Sequence, residues 1–209
     1  MRLLRVVIAV LSLGALLSVF FFALTVQGDA MADGGGDQDL PKFQFDKVAV
    51  EGILSKYRSP LPPWTILAFK ESHPDFDIAG YLTVMWCESS LGTTGGSFKY
   101  NNPGNIKWGG YRAPDDPKVW LRWMNGKWYC KGQGWYGTYP SMYWGQRAAI
   151  RLIYDSAHEY NTMLADHEWD AFAAVYDGSK VPGIAKYTAN LEAAHALLVR
   201  EAAKYGASW

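Results

Sequence analysis

The sequence predicts a mainly α, α+β fold: a helical body with a small antiparallel β lobe inserted in it. Three observations predict it. Apolar residues recur at helical spacing before residue 88 and again after residue 141. The stretch between, Ser89 to Pro140, is rich in Gly, Asn, Pro and aromatics and holds an Asn-Gly pair between β-formers. Aromatics reach 15% and charged residues only 19% of 209 positions, which excludes a disordered polar chain.

The elements follow in order. Val6 to Val26 is a 21-residue run without charge, preceded by Arg2 and Arg5. It is long enough to cross a bilayer as a helix. It reads either as an uncleaved anchor or as a signal peptide, with small residues for cleavage around Ala30 and Ala32. In both cases the arginines stay inside and the rest is exported. Residues 1–32 therefore form the targeting segment, and 33–42 a Gly/Asp-rich linker. One domain follows, over 43–209. Asp46 to Tyr57 reads as a helix with Asp46 as N-cap, and Pro60, Pro62 and Pro63 end it. Trp64 to Lys70 is a short helix. Asp77 caps a helix from Ile78 to about Cys87, apolar on most sides and therefore central. Asn125-Gly126 is the expected turn of a hairpin within Val119 to Cys130. Ser141 opens a helix to about Tyr160, Trp169 to Tyr176 forms another, and Asn190 caps the last, with Gly206 as its stop.

Charge narrows the partners. The exported part carries 18 basic and 19 acidic residues, so no basic excess points to nucleic acid. Cys87 and Cys130 in an exported chain allow one disulfide, and two unrelated thiols are the other reading.

Glu88 is the residue with the most chemical promise. It stands at the end of an apolar helix, where lost hydration favours the protonated carboxyl. The negative end of the helix dipole acts the same way. A carboxylic acid that keeps its proton near neutrality is what glycosidic cleavage requires of its general acid.

The neighbourhood of Glu88 carries a resemblance. Glu88-Ser89-Ser90-Leu91-Gly92 is followed by Asn101-Asn102 and, after Gly104-Asn105, by Ile106-Lys107. This resembles the bacterial peptidoglycan N-acetylglucosaminidases of the autolysin and flagellar-assembly type, which have the lysozyme-like fold and so imply a cleft between the helical body and the β lobe. Tyr139-Pro140-Ser141 looks like the segment opening the helix after their β lobe. Tyr187-Thr188-Ala189-Asn190 looks like their Tyr-containing loop before the last helix. The likeness runs from about Asp46 to Tyr205. The chain departs from it with Pro103-Gly104-Asn105 in place of a Leu-Phe-Gly core, and with no Glu between Glu88 and Glu159.

The resemblance implies cleavage of the peptidoglycan glycan strand with Glu88 as acid, and no cofactor or metal. It leaves three mechanisms. Asp115 or Asp116 activates a water; or the substrate's acetamido group is the nucleophile, with Tyr187 stabilising; or Glu88 alone acts as acid and then base, leaving an anhydro end as lytic transglycosylases do. Asn101, Asn102 and Asn105 offer amides for acetamido and hydroxyl groups. Trp108, Tyr111 and Tyr139 are the candidate stacking residues. Six of ten Trp and six of thirteen Tyr lie between Tyr100 and Trp144. Trp120, Trp123 and Trp128 are expected in part as core.

Rival readings are weaker. Cys87 with His158 as a nucleophilic pair would sit at the helix end that disfavours a thiolate. His73, His158, His167 and His195 show no zinc-ligand spacing. A muramidase on the same fold, or a non-catalytic glycan-binding part of an envelope, secretion or virion assembly, also fits. The expected location is a membrane, a virion membrane included, with the domain outside the cytoplasm, or a secreted state.

Overall fold

The computed structural model describes residues 42–108, 123–156, 159–176 and 181–209. The chain divides between Asp39 and Leu40, and all described residues belong to the second unit. The apolar run 6–26 lies outside them. Among the described residues, no helix is long and apolar enough to cross a membrane.

The fold is mainly helical with one two-stranded antiparallel sheet, as the sequence predicts. Its elements are α1 (Lys42–Lys56), α2 (Pro63–Ser72), α3 (Ile78–Ser89), α4 (Gly95–Lys99), β1 (Gly126–Cys130), β2 (Gly134–Thr138), α5 (Met142–Asp155), α6 (Tyr160–Ala165), α7 (Trp169–Tyr176) and α8 (Val181–Ala203).

The centre of the body is α3. Asp77 caps it, accepting the Gly80 amide on Oδ2 at 2.8 Å. Every residue from Ile78 to Met85 is buried, because α8, α6 and the rest of the core cover it on all sides. α8 runs along α3, α7 and α1 with Leu191, Ala194, Leu198 and Ala202 facing inward. Gly52 lets α1 meet this layer, since a Cβ there would fall 2.3 Å from the Tyr205 ring.

Several sequence expectations are corrected. α1 begins before Asp46, which lies inside the helix, buried, and accepts the Trp209 indole N–H at 2.9 Å. Asp46 thus ties the C-terminus to α1 instead of capping it. The hairpin is shifted: Gly126 starts β1, pairing with Thr138, and the turn is Lys131-Gly132-Gln133. Gly132 and Gly134 both adopt left-handed φ there (82° and 96°), which explains why this turn prevails over Asn125-Gly126. α5 stops at Asp155, short of Tyr160. Asn190 is an exposed interior position of α8, which runs unbroken from Val181, so Tyr187 sits on a helix and not in a loop.

The β lobe is fastened to the body by Asn102. Its Nδ2 donates to the Ile106 and Gly137 carbonyls at 3.0 and 2.9 Å, and its Oδ1 accepts the Ile106 amide. The Gly137 amide donates to Ile106 O, and that of Trp108 to Trp135 O. Gly145 lets the first turn of α5 press on this loop: a Cβ would lie 1.7 Å from the Asn101 carbonyl oxygen.

Candidate active site

Glu88 is the penultimate residue of α3, where the chain leaves the core, and it is half-buried. The turn after it is unusual. Ser90, Leu91 and Gly92 take left-handed φ in succession, at 48°, 59° and 80°. Such backbone is costly for residues with a Cβ. Local bonds hold it: Ser89 Oγ donates to Met85 O and accepts the Gly92 amide at 2.8 Å. Ser59 Oγ donates to Leu91 O at 2.6 Å, and the Leu91 side chain is fully buried. This accounts for the run Glu88-Ser89-Ser90-Leu91-Gly92 in physical terms. Ser closes the turn, Gly supplies the third left-handed position, and the helix ends with Glu88 at the edge of the core.

Each carboxyl oxygen of Glu88 has its own neutral partner. The Tyr187 hydroxyl, from α8, donates to Oε1 at 2.6 Å. The Asn105 amide donates to Oε2 at 3.0 Å and also to the Glu88 carbonyl oxygen at 2.7 Å, one of the free carbonyls at a helix end. Asn105 is itself held by Ser97, whose hydroxyl donates to its Oδ1 at 2.7 Å. Two segments beyond its own helix, 97–105 and α8, thus fix one side chain.

Burial pushes the Tyr187 phenol well above its ordinary range, and the charge of Glu88 adds to the effect. It is therefore a neutral hydroxyl at any working pH. Tyr176, from α7, is raised in the same way by burial and by Glu88, and donates to the Gly104 carbonyl at 3.0 Å. A phenol can turn from donating to accepting, whereas the Asn105 amide donates in either case. The arrangement accommodates Glu88 both with and without its proton. An acid that must later act as base needs both states.

The other sequence-predicted residues divide. Asn105 reaches the site, but as a support of Glu88. Asn101 and Asn102 have their amides engaged in the loop; Asn101 Nδ2 donates to Tyr139 O at 3.0 Å. Tyr139 is 3% exposed, so it stands in the core and not on a cleft wall. Trp108 is exposed on the outer side of the hairpin, beside Lys127. Tyr111, Asp115, Asp116 and Trp120 lie outside the described residues, as does His158. Trp123 packs on Trp144, and Trp128 stacks between Tyr100 and Tyr136. Ser97 and Tyr176 carried no motif; no sequence signal short of the fold singles them out.

The disulfide is corrected: both cysteines are free. Cys130 ends β1 and its thiol donates to Gln133 Oε1 at 3.2 Å. Cys87 lies on the wall of a separate cavity of about 370 Å³ between α3 and α8, lined by Trp86, Asn190, Ala193, Ala194 and Leu197. Burial, with Glu88 adjacent, pushes its thiol up to about 12. Among the described residues, no group of three or more His, Cys, Asp or Glu is placed to hold a metal ion.

Site and fold together define a helical domain with a supported carboxyl at the end of its central helix. Compared with protein-family models, curated proteins and solved structures, the chain has no match.

Proposed function

We propose that the chain is a peptidoglycan-degrading glycoside hydrolase, cleaving the β-1,4 glycan strand as an N-acetylglucosaminidase with Glu88 as general acid. One observation carries the reading: a half-buried carboxyl ends an apolar helix, with its two oxygens held by Tyr187 and Asn105. Glu88 gives its proton to the glycosidic oxygen as the C1–O bond breaks. The substrate's acetamido oxygen then closes on C1. Glu88, now a carboxylate, takes a proton from the water that reopens this ring. This route asks for a single protein carboxylate, in keeping with the neutral partners Tyr187 and Asn105. Residues 6–26 would bring the enzyme to a membrane, or export it, with the domain outside the cytoplasm.

The same single carboxyl also supports transglycosylation, in which Glu88 takes a proton from a hydroxyl of the sugar itself. Product analysis separates the readings. Reducing N-acetylglucosamine ends are expected. Reducing N-acetylmuramic acid ends would mean a muramidase, and 1,6-anhydro ends a transglycosylase. Zymography on purified cell wall tests the enzyme itself: wild type should clear the wall, and Glu88→Gln should lose on the order of a hundredfold or more in rate while keeping its melting temperature. No clearing by wild type overturns the enzymatic reading and leaves a glycan-binding module.

A further inference from the structure

The hairpin has two unlike faces. On one, Trp128 stacks on Tyr100 and Tyr136 and joins the fold, with ring centroids 5.0 and 5.1 Å apart. On the other, Lys127, Tyr129 and Trp135 point outward; Tyr129 pairs with Trp135 across the strands. Trp108 completes this face through Lys127, whose ammonium lies 5.6 Å from its ring and 4.7 Å from that of Trp135. Exposure is 43% for Trp108, 57% for Tyr129 and 47% for Trp135. Three large aromatics on one small face contribute nothing to the core, and such a patch marks an interaction surface.

We infer that this face rests on the lipid bilayer, with its indoles and phenol at the headgroup level and its lysines on anionic headgroups. Three observations select this occupant. The segment from Trp123 to Thr138 carries Lys127 and Lys131 and no acidic residue, in a domain otherwise balanced in charge, so it complements an anionic surface. Trp and Tyr interleaved with Lys are what the membrane–water boundary accommodates. Only 15 residues, 27–41, separate the apolar run from α1 in the sequence, a length of at most about 50 Å even if fully extended. A chain held that close meets the surface at high effective concentration, so weak contacts suffice. A flat sugar platform fits less well. The Tyr129 and Trp135 rings are tilted by 57°, and Lys127 lies toward the rings of both Trp108 and Trp135.

The inference rests on reading residues 6–26 as a retained membrane segment, and the test separates the two. The full chain is reconstituted into vesicles of phosphatidylcholine and phosphatidylglycerol, with and without bromine on the acyl chains. All ten tryptophans lie outside residues 6–26, so quenching of their emission reports contact of the domain with lipid. Wild type should co-sediment with the vesicles and lose about a fifth of its emission to brominated lipid, two tryptophans of ten being on the face. Trp108→Ser with Trp135→Ser should abolish this loss. Lys127→Glu with Lys131→Glu, which leaves every tryptophan in place, should reduce it at least twofold. Unchanged circular dichroism verifies the fold of both. Co-sedimentation without quenching overturns the docking surface and leaves the anchor standing. Failure to co-sediment overturns both. Protection of Trp108 and Trp135 from oxidation by N-acetylglucosamine oligomers but not by vesicles, or dimerisation in place of quenching, would reassign the face to glycan or to a second copy.

Discussion

The Tyr187 hydroxyl donates to Glu88 Oε1 at 2.6 Å across 99 positions of sequence, joining the end of α3 to the first half of α8. Nothing in either local segment dictates the bond; it exists because α8 packs along α3. Tyr187→Phe removes almost no volume but takes away the hydrogen bond that becomes charge-assisted once Glu88 has given up its proton. Such bonds are worth about 1.5–3 kcal/mol. The rate on cell wall should fall roughly tenfold or more, with the melting temperature within a few degrees of wild type. A fall in stability without a fall in rate would make the phenol a packing residue. Burial and Glu88 hold the phenol protonated, so the wild-type pH–rate profile should show no step from its ionisation up to pH ~10.

Asn105 and Asn102 are expected to separate cleanly. Asn105 supports the carboxyl, whereas Asn102, 1% exposed, satisfies the Ile106 amide and the carbonyls of Ile106 and, on β2, Gly137. Asn102→Ala leaves buried backbone groups without partners, which costs about 1–3 kcal/mol each and should lower the melting temperature by several degrees. Asn105→Ala should lower kcat with a much smaller thermal shift. Equal thermal shifts in the two variants would remove Asn105 from the site.

The two thiols make a third prediction. Both are free, and burial pushes Cys87 up to about 12. At pH 8 the native protein should therefore alkylate at Cys87 far more slowly than the denatured one, and a reducing agent should leave activity unchanged. Mass spectrometry of the labelled peptides reads this directly. A peptide linking residues 87 and 130 by a disulfide would refute it.

His195 gives a pH dependence of stability. Its folded value lies below the ordinary 6.5, because of burial and then the neighbouring His167, whose ring is 4.6 Å away. Its Nε2 is buried, with no hydrogen-bond partner among the described residues. The unfolded chain therefore binds the proton more readily. This contribution to stability is complete above pH 6.5 and is lost as the pH falls from there through the lower folded value. Thermal melts from pH 8 to 5 should show a decline that His195→Gln flattens. An identical decline in the variant would place its origin elsewhere.

What the sequence determined by itself was periodic or local. The apolar stretch from Ile78 to Met85 has no polar face to give to water, so α3 had to be central, and Asp77 had to cap it. Glu88 then falls at the core's edge because its helix ends in a Ser-closed, Gly-assisted turn, all within five residues. The uncharged 21-residue run and its arginines are likewise a property of composition alone. Tertiary structure decided the rest. Asn105 and Asn102 are the same residue type three positions apart, and only the approach of α3 to one and of β2 to the other gives them different work. Tyr187 became a partner of Glu88 because α8 runs on through the expected loop. Cys87 and Cys130, for which the sequence left a disulfide and two unrelated thiols equally open, stand on separate elements with separate neighbours. The physical reason is common to these three cases. Local pattern fixes which face is apolar and where backbone turns, but the partner of a polar side chain depends on which distant element fills the space opposite it.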